Sequence, residues 1–302
     1  MIPLFSLNDY SVPLESFDHH LHGKIVTDFE TEFCKYVGAP YGCAISSATN
    51  AIFLLLLNKN TTVTLPSMLP AVVANSVVNS GNKIEFVDDS SWVGHSYTLH
   101  ENIIDSAQRV DRNQYTNESK RGDVMFFSFY PTKPVGGIDG GIVVSDNKDL
   151  IDWIRMASMN GMRYSTDSWD RVQEFPGWKM YMSSSQAYVS LQNLHKLDEK
   201  KDRIKEIRLA YNKAFGLENT SDHLYRVNVT SGSRESAKTH LTENGIAYGV
   251  HYQPLHKTKL FESSNSLPKT EADGETTLSI PLQEKLSISQ VDHIIENVKE
   301  LL

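Results

Sequence analysis

The sequence predicts an α/β protein with a large first domain and a smaller second one. Residues 63–65 and 84–87 have the pattern of buried strands, and residues 72–80 between them have the pattern of a helix that Gly81 stops. Strands that alternate with helices are typical of a mostly parallel sheet with helices on its faces. The chain has 302 residues, of which 40% are hydrophobic, so it can bury a substantial core.

The pattern changes in the last third of the chain, which predicts a separate α+β domain. Residues 225–229 alternate like a strand, and residues 234–244 have the spacing of a helix. A long helical pattern with a charged, solvated face joins the two parts and ends near Gly216. We therefore predict domains at 1–215 and 216–302.

The first elements of the chain lead to a candidate anion site. Phe29 and Phe33 lie at the spacing of an amphipathic helix that ends at Gly38, and residues 42–45 follow as a short strand. Small hydroxyl residues within 46–50 then open the next helix. The start of such a helix presents free backbone N–H groups to an anion, although an ordinary helix cap has the same pattern.

Asp105 ends a short apolar stretch at Ile103 and Ile104, and Gln108 follows one helical turn later. Ligands bind at the carboxyl ends of parallel strands in open α/β sheets. Asp105 and Gln108 are therefore candidate binding residues, and an ordinary turn aspartate is the alternative.

Lys133 lies between two strand-like runs at 124–130 and 141–144, with Pro131 and Pro134 beside it. Prolines and glycines fix the backbone of this turn. A lysine held in such a turn and partly removed from water has a lowered pKa, and its neutral amine can form a Schiff base. An exposed lysine on a hairpin is the alternative for this residue taken alone.

The composition disfavours several classes of partner and location. A formal charge of −8 offers no basic surface to nucleic acid, and the longest aliphatic run, 52–57, is too short to span a membrane. Cys34 and Cys43 lack the spacing of a disulfide framework, and no secretory signal opens the sequence. We therefore expect a cytoplasmic enzyme.

Three histidines, His19, His20 and His22, precede the first helix. No carboxylate or cysteine stands at a spacing that would complete a metal site with them. We therefore predict no metal ion.

These motifs, in this order and spacing, resemble the DegT/DnrJ/EryC1/StrS family, the aminotransferases that use pyridoxal 5'-phosphate (PLP) and act on nucleotide-linked keto sugars. The residues Asp-Ser-Ala-Gln at 105–108 and Phe-Ser-Phe-Tyr-Pro-Thr-Lys at 127–133 carry the resemblance. Further matches extend over nearly the whole chain, at residues 29–30, 47–51, 139–141, 186–187, 245–246, 251–256, 271 and 278–282.

The resemblance implies the fold of the PLP-dependent, aspartate-aminotransferase-like enzymes (fold type I). That fold has a mostly parallel large-domain sheet and a small α+β C-terminal domain. Between Asp89 and Asp105 this chain has only a short linker where the family inserts a further strand and helix. We therefore expect a trimmed large-domain sheet.

The resemblance also implies a role for each site residue. Lys133 is expected to hold PLP (or PMP, its aminated form) as a Schiff base and then to act as the acid and base of the reaction. Asp105 is expected to pair with the ring nitrogen, which keeps the ring an electron sink. Gln108 is expected to hydrogen-bond the ring 3'-oxygen. The phosphate is expected to contact Ala48, Thr49 and Ser128.

The resemblance implies three partners: a nucleotide sugar, an amino-acid donor, expected to be L-glutamate, and a second copy of the chain. In the family a neighbouring subunit completes the phosphate site, and Lys179 aligns with the asparagine that reaches across. His251, Tyr252 and His256 lie in a segment that approaches substrate in relatives. Satisfied histidines in a small-domain strand are the alternative.

Two positions, Pro70 and Lys133, affect which properties of the family we expect in this chain. Pro70, with Met68 nearby, stands where the family has an aromatic residue that stacks on the ring, so the cover of the ring is an aliphatic surface or an unidentified side chain. Lys133 stands where a dehydrating branch of the family has histidine, which favours transamination. A PLP transaminase or dehydratase for another keto compound and a non-catalytic PLP-binding relative are the alternatives.

Overall fold

The larger part of the molecule is built around a five-stranded sheet. The computed structural model describes residues 1–7, 10–163, 172–263 and 265–302. The helices and strands in chain order are α1 (Lys24–Val37), β1 (Tyr41–Ile45), α2 (Ala48–Leu56), β2 (Thr62–Pro66), α3 (Ala71–Asn79), β3 (Lys83–Val87), β4 (Tyr97–His100), β5 (Ile103–Asp105), α4 (Gln114–Glu118), β6 (Val124–Ser128), β7 (Gly141–Ser145), α5 (Lys148–Ser158), α6 (Ser184–His195), α7 (Leu197–Phe215), β8 (Tyr225–Asn228), α8 (Arg234–Glu243), α9 (Pro268–Thr276), β9 (Thr277–Ile280) and α10 (Ile288–Lys299).

The five strands lie in the order β1-β7-β6-β5-β4, and β2 and β3 form a separate parallel pair. Strands β1, β6 and β5 run in one direction, while β7 and β4 run against them. The predicted α/β class is confirmed, but the sheet is mixed where mostly parallel strands were expected. The reason is the connection between β6 and β7, which contains no crossover helix and so returns the chain antiparallel.

Strand β4 occupies the stretch before Asp105, for which the sequence predicts only a short linker. It pairs antiparallel with β5 at the edge of the sheet and places Tyr97 opposite Asp105. Four residues are too few for alternation to mark a strand reliably. The edge therefore ends in a short antiparallel strand where a linker without a strand was expected.

Side chains of the central strands alternate between two helical layers. Val124 and Phe126 of β6 pack with the apolar faces of α2, α3 and α5. Met125 and Phe127 pack with those of α1 and α6 on the other side. All residues of β6 and β7 are buried, which explains their continuous apolar runs.

A third apolar cluster joins α7 to the C-terminal elements. Ile204 and Tyr211 of α7 pack against β8, β9, α8 and α10. Gly216 ends α7 in the left-handed conformation (φ 68°), which glycine adopts without steric cost. Residues of α7 on the N-terminal side of the predicted boundary thus belong to the C-terminal cluster. The domain limits at 1–215 and 216–302 remain a prediction.

The N-terminal residues lie on the C-terminal part of the chain. The Ile2 N–H donates to the carbonyl of Gly245 (2.6 Å), and the Ala247 N–H donates to the carbonyl of Ile2 (2.9 Å). This pairing carries Phe5 to a central cavity. Within the described residues, no helix is both long enough and apolar enough to cross a membrane.

An ion pair between the buried Glu30 and the half-buried Arg155 ties α1 to α5 across β1. Both guanidinium nitrogens Nη1 and Nη2 of Arg155 donate to Glu30, each at 2.9 Å, and Nη2 also donates to the carbonyl of Gly42 (2.8 Å). Glu30 accepts a further bond from the Ala44 N–H (2.7 Å). The Glu30 carboxylate accepts hydrogen bonds from two other elements, α5 and β1, so it holds the first helix in register with the sheet.

Replacement of Glu30 by alanine is expected to lower the free energy of unfolding by about 3 kcal/mol, because Arg155 and the Ala44 N–H lose their acceptor. Urea unfolding followed by circular dichroism measures the change. Asp152→Ala is the matched control, since it removes an exposed pair with Lys148 and is expected to cost no more than about 0.5 kcal/mol. Equal losses in the two variants would contradict a structural role for Glu30.

Candidate active site

A cavity of about 700 Å³ lies at the carboxyl ends of β1, β5 and β6, between the central sheet and the C-terminal elements. Its volume is within the range of small-molecule sites. Six of the residues predicted to bind the cofactor line it together, namely Ala48, Thr49, Asp105, Gln108, Ser128 and Lys133.

Lys133 extends into this cavity from the connection between β6 and β7. Its backbone N–H donates to the carbonyl of Tyr130 (2.8 Å), which closes a turn. Gly136 (φ 66°) completes the turn, and a Cβ there would lie 2.8 Å from the Pro131 carbonyl oxygen. Burial lowers the pKa of the Lys133 amine from 10.5 to about 8, against the opposing pull of the Asp105 charge. About a tenth of this amine is therefore neutral and nucleophilic at pH 7, far more than for an ordinary lysine.

Asp105 is buried at the end of β5 and is held by two donors. One carboxylate oxygen accepts the Ala107 N–H (2.8 Å), and the other accepts the Tyr97 O–H (3.1 Å). Burial raises the pKa of Asp105, whereas the Ala107 N–H, the charge of Lys133 and the Tyr97 O–H act to lower it. The two donors fix the carboxylate and favour its ionised form.

The start of α2 forms a second polar wall. The Ser47 side chain caps the helix by accepting the Asn50 N–H (3.2 Å). Ala48 and Thr49 occupy the first two helical positions, whose N–H groups have no acceptor within the helix. The close packing depends on Gly141, because a Cβ there would lie 2.6 Å from the Ala48 nitrogen.

Gly141 also pairs with Ser128 at the end of β6. The Ser128 hydroxyl thus lies one strand away from the start of α2, and both line the cavity. Backbone N–H groups at the positive end of a helix, with a hydroxyl beside them, are suited to bind a phosphate.

Gln108 and Tyr252 are joined across the cavity wall. The Gln108 amide donates to the Tyr252 hydroxyl (3.0 Å), and its oxygen accepts the Gly94 N–H (2.7 Å). The Tyr252 ring lies nearly parallel to that of Trp92, with centroids 6.2 Å apart and an interplanar angle of 5°. Trp92 is thus an aromatic wall residue in a cavity where Pro70 replaces the expected aromatic.

The structure does not bring every predicted residue into the cavity. Lys179 is exposed and is not on the cavity wall of its own chain, so its role across a subunit interface remains a prediction. His256 is fully buried, and its ring nitrogens lie 2.6 Å from Ser67 Oγ and 3.1 Å from a Glu271 oxygen. Its imidazole is satisfied inside the protein.

The other two predicted substrate residues do line the cavity. Both His251 and Tyr252 contribute to the wall, and His251 Nδ1 lies 2.9 Å from Ser279 Oγ. Burial, followed by the charges of Lys133 and Arg226, lowers the pKa of His251 to about 4. The histidine is therefore neutral at physiological pH.

Sequence reasoning missed four wall or support residues, Phe5, Trp92, Tyr97 and His223. Trp92, Tyr97 and His223 lie in segments without a regular spacing of apolar residues, and Phe5 lies near the N-terminus. The aromatic pair of Trp92 and Tyr97 inside an otherwise polar linker was a usable signal, because large aromatic side chains are usually buried.

The fold and this cavity define the class of the protein as an α/β enzyme of the aminotransferase type. The model of the DegT/DnrJ/EryC1/StrS aminotransferase family matches residues 13–107 and 102–299, so the chain belongs to that family. The family and the fold expected from the sequence are both confirmed.

Individual relatives agree with this assignment. The chain is 25% identical to the UDP-4-amino-4,6-dideoxy-N-acetyl-beta-L-altrosamine transaminase of Campylobacter jejuni and 27% identical to the spore coat polysaccharide biosynthesis protein SpsC of Bacillus subtilis. Each match covers 93% of this chain and 90% of the relative. A Streptococcus pneumoniae protein assigned as a sugar aminotransferase, solved in its PLP form, superposes with a TM-score of 0.81 at 19% identity, over 100% of this chain and 99% of that one.

The donor set of the cavity fits PLP. Lys133 offers an amine of lowered pKa to an aldehyde. Asp105 offers a buried, doubly hydrogen-bonded carboxylate to a protonated ring nitrogen. Ala48, Thr49 and Ser128 offer N–H and O–H groups to a phosphate. Each chemical group of the cofactor thus has a matching residue in one cavity.

The Lys133 amine is expected to react with fluorodinitrobenzene in a pH-dependent way, because only the neutral form is nucleophilic. Labelling of the cofactor-free protein should rise about tenfold per pH unit below about 8 and level off above it. Mass spectrometry of the Lys133 peptide measures this. Asp105→Asn should move the midpoint lower, since the Asp105 charge raises the lysine pKa, and Asp139→Asn in the same wall is the control. A midpoint near 10.5 would contradict the assignment.

Proposed function

We propose that this protein transfers an amino group from an amino acid, L-glutamate, to a nucleotide-linked keto sugar with PLP as cofactor. The observation that carries the proposal is the meeting of Lys133 and Asp105 in one cavity of about 700 Å³. Their environments move the pKa of each toward the neutral range, which is typical of groups that exchange protons during catalysis. The names of the relatives supply the substrate class.

When bound, the cofactor supplies an electron sink for the electron pair that remains after a substrate carbon loses its proton. Asp105 would hold a proton on the ring nitrogen, and Tyr97 and Ala107 keep its carboxylate oriented for that task. Lys133, with a pKa of about 8, can both accept and release a proton near neutral pH. The same residue can therefore take the proton from one carbon and return it to another.

The remaining polar groups would orient the molecule. Ala48, Thr49 and Ser128 would bind the phosphate, and Gln108 would reach the ring 3'-oxygen with its second amide hydrogen. Trp92 and the aliphatic Val73 would border the ring, since both line the cavity. His251 and Tyr252, on the wall formed by the C-terminal part, would face substrate.

A homodimer completes the proposal. Lys179 is exposed on its own chain, and its full positive charge is suited to the phosphate of a neighbouring subunit.

The free, buried thiols of Cys34 and Cys43 support a cytoplasmic, reducing location.

Lys133→Ala is expected to abolish the transfer, with turnover reduced by about a thousandfold or more, because it removes both the covalent anchor and the proton carrier. Wild type loaded with PLP should be yellow and should lose its colour on addition of L-glutamate. Borohydride treatment of the loaded wild type should fix the cofactor to the Lys133 peptide, as seen by mass spectrometry. Lys148→Ala, at an exposed lysine, is the control.

The outcome also separates the alternatives. A wild type that takes up no PLP under these conditions would end the proposal. A wild type that reacts with L-glutamate but aminates no UDP-linked keto sugar would instead favour a transaminase for another keto compound.

Tyr97→Phe is expected to weaken PLP binding about tenfold, because Asp105 loses a donor to its charged form, and bonds of this kind contribute roughly 1.5–3 kcal/mol. The pKa of Asp105 should rise as a result. A fluorescence titration with PLP measures the affinity. Tyr115→Phe is a matched control, since its hydroxyl donates to the Asp123 carbonyl outside the cavity. Equal PLP affinity in Tyr97→Phe and wild type would remove Tyr97 from the site.

A further inference from the structure

His223 lies in the wall of the active-site cavity that Lys133 also lines, two residues before β8. Its side chain is only 6% exposed. The backbone is fixed because the His223 N–H donates to Ser221 Oγ (3.1 Å), and that hydroxyl donates to the carbonyl of Gly94 (3.0 Å). The backbone at His223 is thus tied through Ser221 to the loop that contains Gly94.

The His223 ring is held by stacking on Phe5, with centroids 5.5 Å apart and an interplanar angle of 24°. Neither of its ring nitrogens has a hydrogen-bond partner among the residues that the structure describes, whereas His251 bonds Ser279 and His256 bonds Ser67 and Glu271. The ring nitrogens of His223 are not among the fully buried polar atoms that lack a partner, so they reach accessible space. An imidazole without a protein partner on a cavity wall is therefore an available contact for a ligand.

The chemistry of the ring narrows the choice of ligand. Burial, and then the charges of Lys133, His251 and Lys200, lowers the pKa of His223 well below its ordinary value. A neutral imidazole has one N–H donor and one lone pair. A sugar hydroxyl can use both kinds of group, whereas the carboxylate of an amino-acid donor only accepts.

We infer that His223 is a substrate-binding residue whose imidazole hydrogen-bonds a hydroxyl group of the sugar. The inference rests on the proposed function and adds which part of the cavity wall the sugar contacts. Phe5 holds the ring in place, so the N-terminal segment takes part in substrate binding through His223.

The two half-reactions of the PLP-loaded enzyme test this inference separately through the colour of the cofactor. UDP-4-amino-4,6-dideoxy-N-acetyl-β-L-altrosamine probes the sugar half-reaction and L-glutamate probes the donor half-reaction. In His223→Phe, which preserves a ring against Phe5, we expect kcat/KM for the sugar to fall roughly 10- to 100-fold, mainly through KM. The value for L-glutamate should stay within about twofold of wild type.

Two further variants keep the test decisive. His223→Gln retains a donor and an acceptor, and should recover part of the loss even if His223→Phe folds poorly. His20→Phe, at an exposed histidine, is the control for the substitution itself.

The inference is overturned if His223→Phe binds the sugar like wild type, if both half-reactions fall equally, or if only the L-glutamate half-reaction falls. A wild type that reacts with L-glutamate and with no UDP amino sugar overturns the proposed function, and this inference with it. An active wild type beside an unchanged His223→Phe overturns this inference alone.

Discussion

The antiparallel pairing of β6 with β7 is the constraint on which the site depends. It closes at Ser128 opposite Gly141, so the connection that carries Lys133 starts and ends at fixed points. Gly141 also borders the start of α2, where a Cβ would lie 2.6 Å from the Ala48 nitrogen. One hairpin therefore sets the positions of the amine, the hydroxyl and the helix N–H groups relative to one another.

The electrostatics of the cavity follow from this geometry. Lys133 and Asp105 approach from neighbouring parts of the sheet, and burial opposes the charge on each. Asp105 is compensated by donors from its own loop and from β4. Among the described residues, only the charge of Asp105 opposes the effect of burial on Lys133, so the pKa of this amine falls to about 8 and its protonation can change near neutral pH.

Local patterns predicted much of the site, and long-range contacts account for what they could not predict. Asp105 lies at a strand end and Lys133 in the turn between two strands, and apolar runs and turn residues mark both places in the sequence, whereas Ser128 was expected only from the family resemblance. The pairing of Tyr97 with Asp105 and the stacking of Phe5 on His223 join segments by the tertiary fold. No spacing in the sequence encodes such contacts, and the strand that carries Tyr97 is only four residues long.

The segment that departs from the family is also the one that supplies new wall residues. Where the family resemblance led us to expect only a short linker, the chain has a turn and β4, and these place Trp92 in the wall and Tyr97 against Asp105. The aromatic surface missing at Pro70 is thus matched by one from a different loop, which faces Tyr252 of the C-terminal part. A shortened sheet edge can therefore keep the chemistry at Lys133 and Asp105 while it changes the surface that meets the substrate, because the two depend on different strands.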